Sequence, residues 1–409
     1  MDIHQNTMAA ECINCGGELR FDPQSGKLKC DFCDSEFTNE ELEEYFRSKG
    51  EQSGNTLSET ETNEEGQEMR ALSCSSCGAE MVTEENTAAV RCPFCGNNTI
   101  VPAQFSGDLK PDFVIPFGYS KQQAEQTYKS YYQGKKLLPK SFLSENQIQE
   151  IQGVYVPFWL YSGKAKISAD YKAHDIKETQ TEKIITEYKV RREGSVEFEN
   201  VPADASKRMA DDLMDSIEPY KLDQMKPFSL TYLPGFLAER FNVSSDEDLE
   251  RVRKRVEQTT EKMTADTVKH DSIVSRNENV TVDFTEKKYT LMPVWYLTTN
   301  WNGKLWSFAM NGQTGKFIGD LPIDSGKMTL RVIVFFLITL VLCYLLLGDI
   351  LTGFIAGAIV AAVAGAISYS SMKPVANAKY ADDYMKQLKL TVKNDEFVKT
   401  EHKPKQQNQ

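Results

Sequence analysis

The sequence predicts an α+β protein with three parts: two N-terminal zinc ribbons, a mixed α+β middle, and a C-terminal two-helix transmembrane hairpin. Three observations predict it. Cysteine pairs recur at ribbon spacing between residues 12 and 95, strand and helix signals alternate from 111 to 323, and two apolar runs stand back to back after residue 329. The implied plan is ribbon 1 at 1–40, a short helix and acidic linker at 41–70, ribbon 2 at 71–105, an α+β cytoplasmic region at 106–325, the hairpin at 328–371 and a basic tail at 372–409.

The cysteines come first. Cys12-Ile-Asn-Cys15-Gly16 is followed, after fourteen residues, by Cys30-Asp-Phe-Cys33. The pattern repeats as Cys74-Ser-Ser-Cys77-Gly78, fourteen residues, then Cys92-Pro-Phe-Cys95-Gly96, an internal duplication. Zinc takes four soft ligands in a tetrahedron. A Cys-x-x-Cys turn supplies two sulfurs, and the following glycine permits a knuckle whose N–H groups face the thiolates. The ligand sets are Cys12, Cys15, Cys30 and Cys33 for one Zn2+, and Cys74, Cys77, Cys92 and Cys95 for the other. Closed four-cysteine sites leave no position for catalysis, so both are read as structural. An iron–sulfur cluster is the competing occupant, disfavoured by the spacing. The ninth cysteine, Cys343, lies in the first apolar run as a small filler.

Residues 1–11 carry no structural signal, and no signal-peptide pattern begins at Met1, so the N-terminal part is expected to stay in the cytoplasm. Between the ribbons, 40–48 has the spacing of a short helix through Leu42, Tyr45 and Phe46. Residues 50–68 hold six glutamates and no Lys or Arg, the composition of a disordered linker.

In the middle region Ser120 is placed to cap a helix reaching Tyr132, and Ser245 opens a charged helix toward Lys269. Helical spacing also covers 204–217 through Met209, Leu213 and Ile217. Strand signals fall at 113–117, 154–161, 165–171, 280–284, 289–297 and 304–310, with a turn at Asn311-Gly312-Gln-Thr-Gly315. Val156-Pro157-Phe-Trp159 and Met292-Pro293-Val-Trp295 match, which suggests a strand–helix–strand–strand repeat over 111–172 and 230–318. The Pro-x-Trp segments read either as core strands or as a peptide or lipid groove, and packing is the favoured reading.

The apolar runs are Leu330–Leu347, charged only at Arg331, and Ile350–Tyr369, separated by Gly348-Asp349. At about 1.5 Å per residue each spans roughly 27–30 Å, the thickness of a bilayer core. A buried hairpin of a soluble protein is the competing reading. Lys327, Arg331, Lys373 and Lys379 flank the runs and the turn carries no base, so both termini are expected on the cytoplasmic side of the cytoplasmic membrane. Gly353, Gly357, Ala361 and Gly365 form a small-residue stripe for close helix approach, with the first helix as the favoured partner over a neighbouring subunit. The tail carries eight Lys against five acids, with helical spacing over 378–390, and reads as a helix on anionic lipid or as a solvated tail.

Catalytic patterns are missing. The four histidines, His4, His174, His270 and His402, are scattered; His174-Asp175 and His270-Asp271 are only sequence neighbours. Gly312-Gln-Thr-Gly315-Lys316 lacks the length and hydroxyl of a phosphate loop. The formal charge is −12, and ribbon 1 over 11–36 sets Arg20, Lys27 and Lys29 against six acids, which argues against nucleic acid.

The ribbons, Ile115-Pro-Phe, Val154-Tyr-Val-Pro-Phe-Trp159, Leu291-Met-Pro-Val-Trp295 and the hydrophobic C-terminal stretch together resemble the bacterial TFIIB-type zinc ribbon-containing membrane proteins of Bacillus and its relatives. Members of that family are often labelled replication-restart helicases or replisome organisers. This sequence has no ATP-binding loop. The resemblance also implies a link to membrane stress through neighbouring genes for a phage-shock-type membrane-remodelling protein. The expected function is a non-enzymatic, membrane-anchored zinc-ribbon adaptor for a protein partner. The alternative is a nucleic-acid-associated ribbon protein in replication or transcription.

Overall fold

A computed structural model describes residues 8–9, 11–44, 61–62, 68–73, 80–84, 87–91, 98–100, 110–145, 151–347, 350–373 and 379–404. The fold is mixed α+β and carries two long apolar helices toward its C-terminus. Two compact units share the chain: Met1–Pro157, Ser206–Arg240 and Leu291–Asn377 in the first, Phe158–Ala205, Phe241–Thr290 and Ala378–Gln409 in the second. The chain passes between them five times, so residues 106–325 contribute to both.

The first unit has an aromatic core. Phe117 stacks on Phe236 at 4.0 Å between ring centroids, and Tyr155 and Trp295 meet its ring at 5.0 and 5.2 Å. Helix Lys121–Tyr132 buries Ala124 and Tyr128, whose ring meets Phe308 and Phe317. Ser120 caps it: its hydroxyl accepts from the Gln123 N–H while the Gln123 side chain returns a bond, which satisfies two otherwise orphan donors. Strand Lys304–Asn311 pairs antiparallel with residues 294–301 and with Phe317–Gly319. The turn that links them is held by the Asn311 carboxamide oxygen, which accepts from the N–H groups of Gln313 and Thr314.

The apolar helices, Ser325–Leu347 and Ile350–Ser370, belong to this unit. They meet along the small-residue stripe, with Gly353, Gly357 and Ala361 buried. A Cβ at Gly353 would sit 3.2 Å from the Leu340 carbonyl oxygen, and one at Gly357 would sit 3.1 Å from that of Phe336. The stripe therefore faces the first helix of the same chain. The outer faces, with Leu330, Ile338, Leu345, Ile350, Leu351 and Ile367, are exposed.

The second unit is a long twisted hairpin with a helix across it. Residues 158–178 pair with 182–204 from Phe158↔Asp204 to Glu178↔Lys183. Alternation is strict on the inner face, where Ala165, Ile167, Ala169, Tyr171 and Ala173 are buried. At Gly163 an added Cβ would lie 2.2 Å from the Asp283 carbonyl oxygen, so only glycine admits the backbone of 272–290 there. Helix Ser245–Ala265 carries its own capping box, Ser244 with Glu247. Ala265 and Val268 join Ile167, Ala169, Tyr171 and Val190 in one cluster.

Several expectations are corrected. The spacing over 378–390 produces no helix: Asp382–Tyr384 is a single 3₁₀ turn, and Lys389–Pro404 is a strand antiparallel to Glu182–Asp204. Two bases of this C-terminal segment are paired with carboxylates, Lys386 2.5 Å from Glu199 and Lys399 2.5 Å from Glu401. The helix expected over 204–217 is confined to Asp211–Ser216, because Asp204 still belongs to the long strand. Met8–Ala9 pairs with Thr99 and Ile100, and Glu61–Thr62 pairs with 68–69, where unstructured chain was expected. The helix expected at 40–48 is present over 39–44, with Leu42 buried; its remainder and most of the acidic linker lie outside the described residues.

Candidate metal centre and apolar hairpin

The segment expected to be ribbon 1 forms three short strands, Leu19–Asp22, Lys27–Cys30 and Glu36–Phe37, with a Cys-x-x-Cys knuckle at each end. The two knuckles close alike. The Cys12 N–H donates to the Gly17 carbonyl (2.6 Å) and the Gly16 N–H to the Cys12 carbonyl (2.9 Å). In the second, the Cys30 N–H donates to Ser35 (3.0 Å) and the Asp34 N–H to Cys30 (3.1 Å). Each knuckle needs a left-handed residue after its second cysteine. Gly16 fills that place at φ 72° and Asp34 at 56°. Aspartate tolerates this region better than most side chains, a signal that the reading of the following glycines alone passed over at Asp34.

These turns bring four sulfurs together. Cys12 Sγ lies 3.7 Å from Cys33 Sγ, Cys15 Sγ lies 3.5 Å from Cys30 Sγ, and all four are within 4.8 Å of one another. Zinc with four bonds of about 2.3 Å would set sulfurs roughly 3.8 Å apart, so the group can hold a metal ion of that kind. The cysteines are free thiols and not disulfides. Cys12 and Cys30 are buried with Leu19, Leu28 and Leu42, while Cys15 and Cys33 face outward.

Charge is unevenly placed over the thiols. Hydrogen bonds from the Ser35 hydroxyl and backbone hold Cys33 down at about 6. The Gly17 N–H favours the Cys15 thiolate, but Cys33, Cys30 and burial outweigh it and push that thiol up to about 12. Ser35, 3.1 Å from Cys33 Sγ, was not foreseen from the sequence.

Cys74, Cys77, Cys92 and Cys95 lie outside the described residues. Both connections that carry them are bounded by antiparallel strand pairs, Ser73↔Glu80 and Arg91↔Asn98. Cys343 borders the glycine stripe, its Cβ 3.3 Å from the place of a Cβ at Gly353.

Ribbon 1 rests on residues 230–236. The Phe21 N–H donates to the Pro234 carbonyl (3.0 Å), and Phe21 meets Tyr232 edge-on at 5.4 Å. A cleft of about 530 Å³ opens beside this contact, with Arg20, Phe21 and Asp31 on the ribbon wall and Gly153, Phe236 and Trp295 opposite. The Pro-x-Trp segments are packed core: Trp159 is 9% and Trp295 5% exposed, although Trp295 also lines the cleft.

His270 meets the aspartate of the other His-Asp pair, and His174 meets a glutamate. His270 Nδ1 lies 3.1 Å from Asp175, not paired with its neighbour Asp271, whose carboxylate accepts the Ile176 N–H at 2.7 Å. His174 approaches Glu187 at 3.7 Å.

Two helices, Ser325–Leu346 and Ile350–Ser370, are long and apolar enough to cross a membrane, and their most apolar stretches are 0% and 17% buried. That exposure does not fit the core hairpin of a soluble fold.

Over 327 residues the chain is 32% identical to the uncharacterized protein YdjG of Bacillus subtilis strain 168, across 78% of this chain and 91% of YdjG. The chain belongs to the YdjG family. No family model matches the chain. No solved structure matches it either. Membership in the YdjG family thus supplies a lineage, and the chemistry rests on the sulfurs and the hairpin.

Proposed function

We propose that the protein is a non-enzymatic adaptor anchored in the cytoplasmic membrane by its hairpin. Its ribbons each hold a structural Zn2+ and face the cytoplasm, where they engage a protein partner. One observation carries the reading: a closed four-cysteine cluster belongs to the same compact unit as an exposed apolar helical hairpin. A closed cluster stabilises a small domain and offers no open position for substrate. Exposed apolar helices of this length have no stable place in water.

The knuckles support a partner-binding role. Ile13 is 48% and Phe32 78% exposed, each inside a Cys-x-x-Cys turn. Apolar residues held outward on a rigid knuckle are suited to a protein surface. The adjoining cleft, with Trp295 at its wall, is wide enough for a side chain of that partner. The family resemblance points to a phage-shock-type membrane protein as the partner.

Affinity purification of the full chain from detergent-solubilised membranes, with metal analysis and mass spectrometry on one sample, tests the reading. About two zinc per chain with an enriched membrane protein supports it. Zinc with no stable partner counts against the adaptor, and co-purifying nucleic acid turns the reading to the replication or transcription alternative.

A further inference from the structure

The chain is acidic overall, yet the foot of the hairpin is cationic. Three segments converge there: 135–140, the helix ends at 324–327 and 371–373, and a hairpin tip at 301–304. The 135–140 segment is fixed to both helices: the Lys135 ammonium donates to the Ser371 carbonyl (3.0 Å), and the Lys327 ammonium donates to that of Leu138 (2.6 Å). The Asp324 N–H donates to the Leu137 carbonyl (2.9 Å). The third segment is the tip of the hairpin formed by 294–301 and Lys304–Asn311. Its turn residues, Asn302 and Gly303, have φ 54° and 72°, the left-handed pair of a tight two-residue turn.

That tip carries aromatic and basic side chains together. Trp301 packs against Trp306 at 6.5 Å, and Phe142 meets both rings. The Lys304 and Lys373 ammonium groups lie 4.6 and 5.2 Å from the centre of the Trp306 ring. Lys373 also pairs with Asp320 at 2.9 Å, and Lys327 with Asp324 at 3.7 Å. Among the described residues, Lys136, Lys140 and Lys304 are exposed and have no carboxylate partner. Arg331, over the Phe335 ring at 5.8 Å, marks the level where the apolar surface begins.

We infer that this collar of Lys136, Lys140 and Lys304 around the Trp301–Trp306 pair binds the phosphate headgroups of anionic phospholipids. The inference rests on the membrane reading above and assigns a lipid class to its boundary. Trp306 is 8% exposed, so the ring pair backs the lysines at the foot of the apolar helices, where an ammonium group reaches the interface and can meet a phosphate. Bases near an anionic leaflet gain attraction that falls off within a Debye length, so their place at the helix ends matters. The C-terminal tail cannot supply this contact through Lys386 and Lys399, which are already paired with Glu199 and Glu401.

The test uses the full chain in vesicles of phosphatidylcholine with and without phosphatidylglycerol. Flotation is scored first. The lipid that stays with the protein after polymer extraction is then quantified. The expected result is flotation with both vesicles and several-fold enrichment of phosphatidylglycerol over its bulk fraction. The K136Q/K140Q/K304Q variant should float equally and lose the enrichment. Flotation with co-extracted lipid at the bulk ratio overturns the collar and leaves the membrane anchor standing. Failure to float overturns the anchor, and with it the collar. Enrichment that survives in the triple variant overturns the assignment to these three lysines.

Discussion

The Trp295 indole N–H donates to the carbonyl of Tyr119 at 3.0 Å, and Tyr119 immediately precedes Ser120, the N-cap of helix Lys121–Tyr132. The same contact occurs in the other unit. The Trp159 indole donates at 2.9 Å to Val243, the residue before Ser244, which caps Ser245–Ala265. Each Pro-x-Trp strand thus fixes the entry of a capping-box helix, and each helix comes from the other matching stretch of sequence. This gives the tryptophans a positional role beyond filling volume.

Trp295→Phe and Trp159→Phe keep an aromatic ring but remove the donor. Each should cost about 1 kcal/mol, the usual net worth of such a bond. Trp295→Ala, which empties a buried site, should cost about 3–5 kcal/mol. Thermal unfolding of the detergent-solubilised protein reads both. An alanine variant no less stable than its phenylalanine counterpart would show that the packing contributes little.

The sulfur cluster predicts a loss of metal one site at a time. Cys30→Ser removes a ligand that is also buried among Leu19, Leu28 and Leu42, and should lower bound zinc by one equivalent per chain. It should also expose ribbon 1 to protease. On the proposed two-site reading the set Cys74, Cys77, Cys92 and Cys95 should keep an ion of its own, so an unchanged zinc content, or complete loss, would contradict two independent sites. Acid should release the metal, since protons compete for the thiolates.

The helix pairing predicts a cross-link. A Cβ at Gly353 would lie 3.3 Å from that of Cys343, close to the separation found across disulfides. Gly353→Cys should therefore form an intramolecular bond with Cys343 on mild oxidation, seen as a loss of two free thiols by mass spectrometry with no dimer on a gel. A cross-linked dimer would mean that the glycine stripe serves a neighbouring chain. Gly357→Leu, which drives side-chain atoms into Phe336, should separate the helices and abolish the cross-link in the double variant.

What was legible in the sequence was local. Cysteine spacing fixes knuckle geometry within a few bonds, long apolar runs reveal themselves by length, and the Ser120 cap sits where its side chain competes for an orphan N–H; the second cap is Ser244, one residue before the Ser245 at which the sequence placed the helix start. The long strands were less legible. On 158–178 the inner face is largely alanine, whose weak hydrophobicity hides the period of two between Lys166, Asp170 and Lys172. The tail was misread as a helix because its partner, Glu182–Asp204, lies some two hundred residues earlier, and pairing at that distance leaves no local mark. The meeting of His270 with Asp175 was hidden for the same reason.

That tail predicts an acid-sensitive lock. Arg192 has no exposed side-chain surface, and its guanidinium donates to Asp395 (2.5 Å), to the Asn394 carbonyl (3.1 Å) and to the Thr267 hydroxyl (3.1 Å). Asp395 also lies 3.7 Å from His270. The Arg192 hydrogen bond, with the charges of Arg192 and His270, holds the Asp395 carboxyl below the ordinary aspartate value of 3.8. A carboxyl depressed in the folded state stabilises the fold fully above its unfolded value, and the contribution is lost as pH falls through the folded value. The C-terminal strand should therefore stay paired at neutral pH and loosen only below about 3.8. Asp395→Asn removes this acid dependence and leaves a buried guanidinium without its counter-charge. The cost at neutral pH should be about 2–3 kcal/mol, less than for a fully enclosed pair because the Asp395 side chain is 35% exposed. Replacing both partners, as in R192M/D395N, should recover part of that loss, since the uncompensated buried charge is gone. Hydrogen exchange over 389–404 as a function of pH would read the lock directly. Protection in D395N equal to that of the unaltered protein at neutral pH would show that the strand is held by its backbone ladder alone.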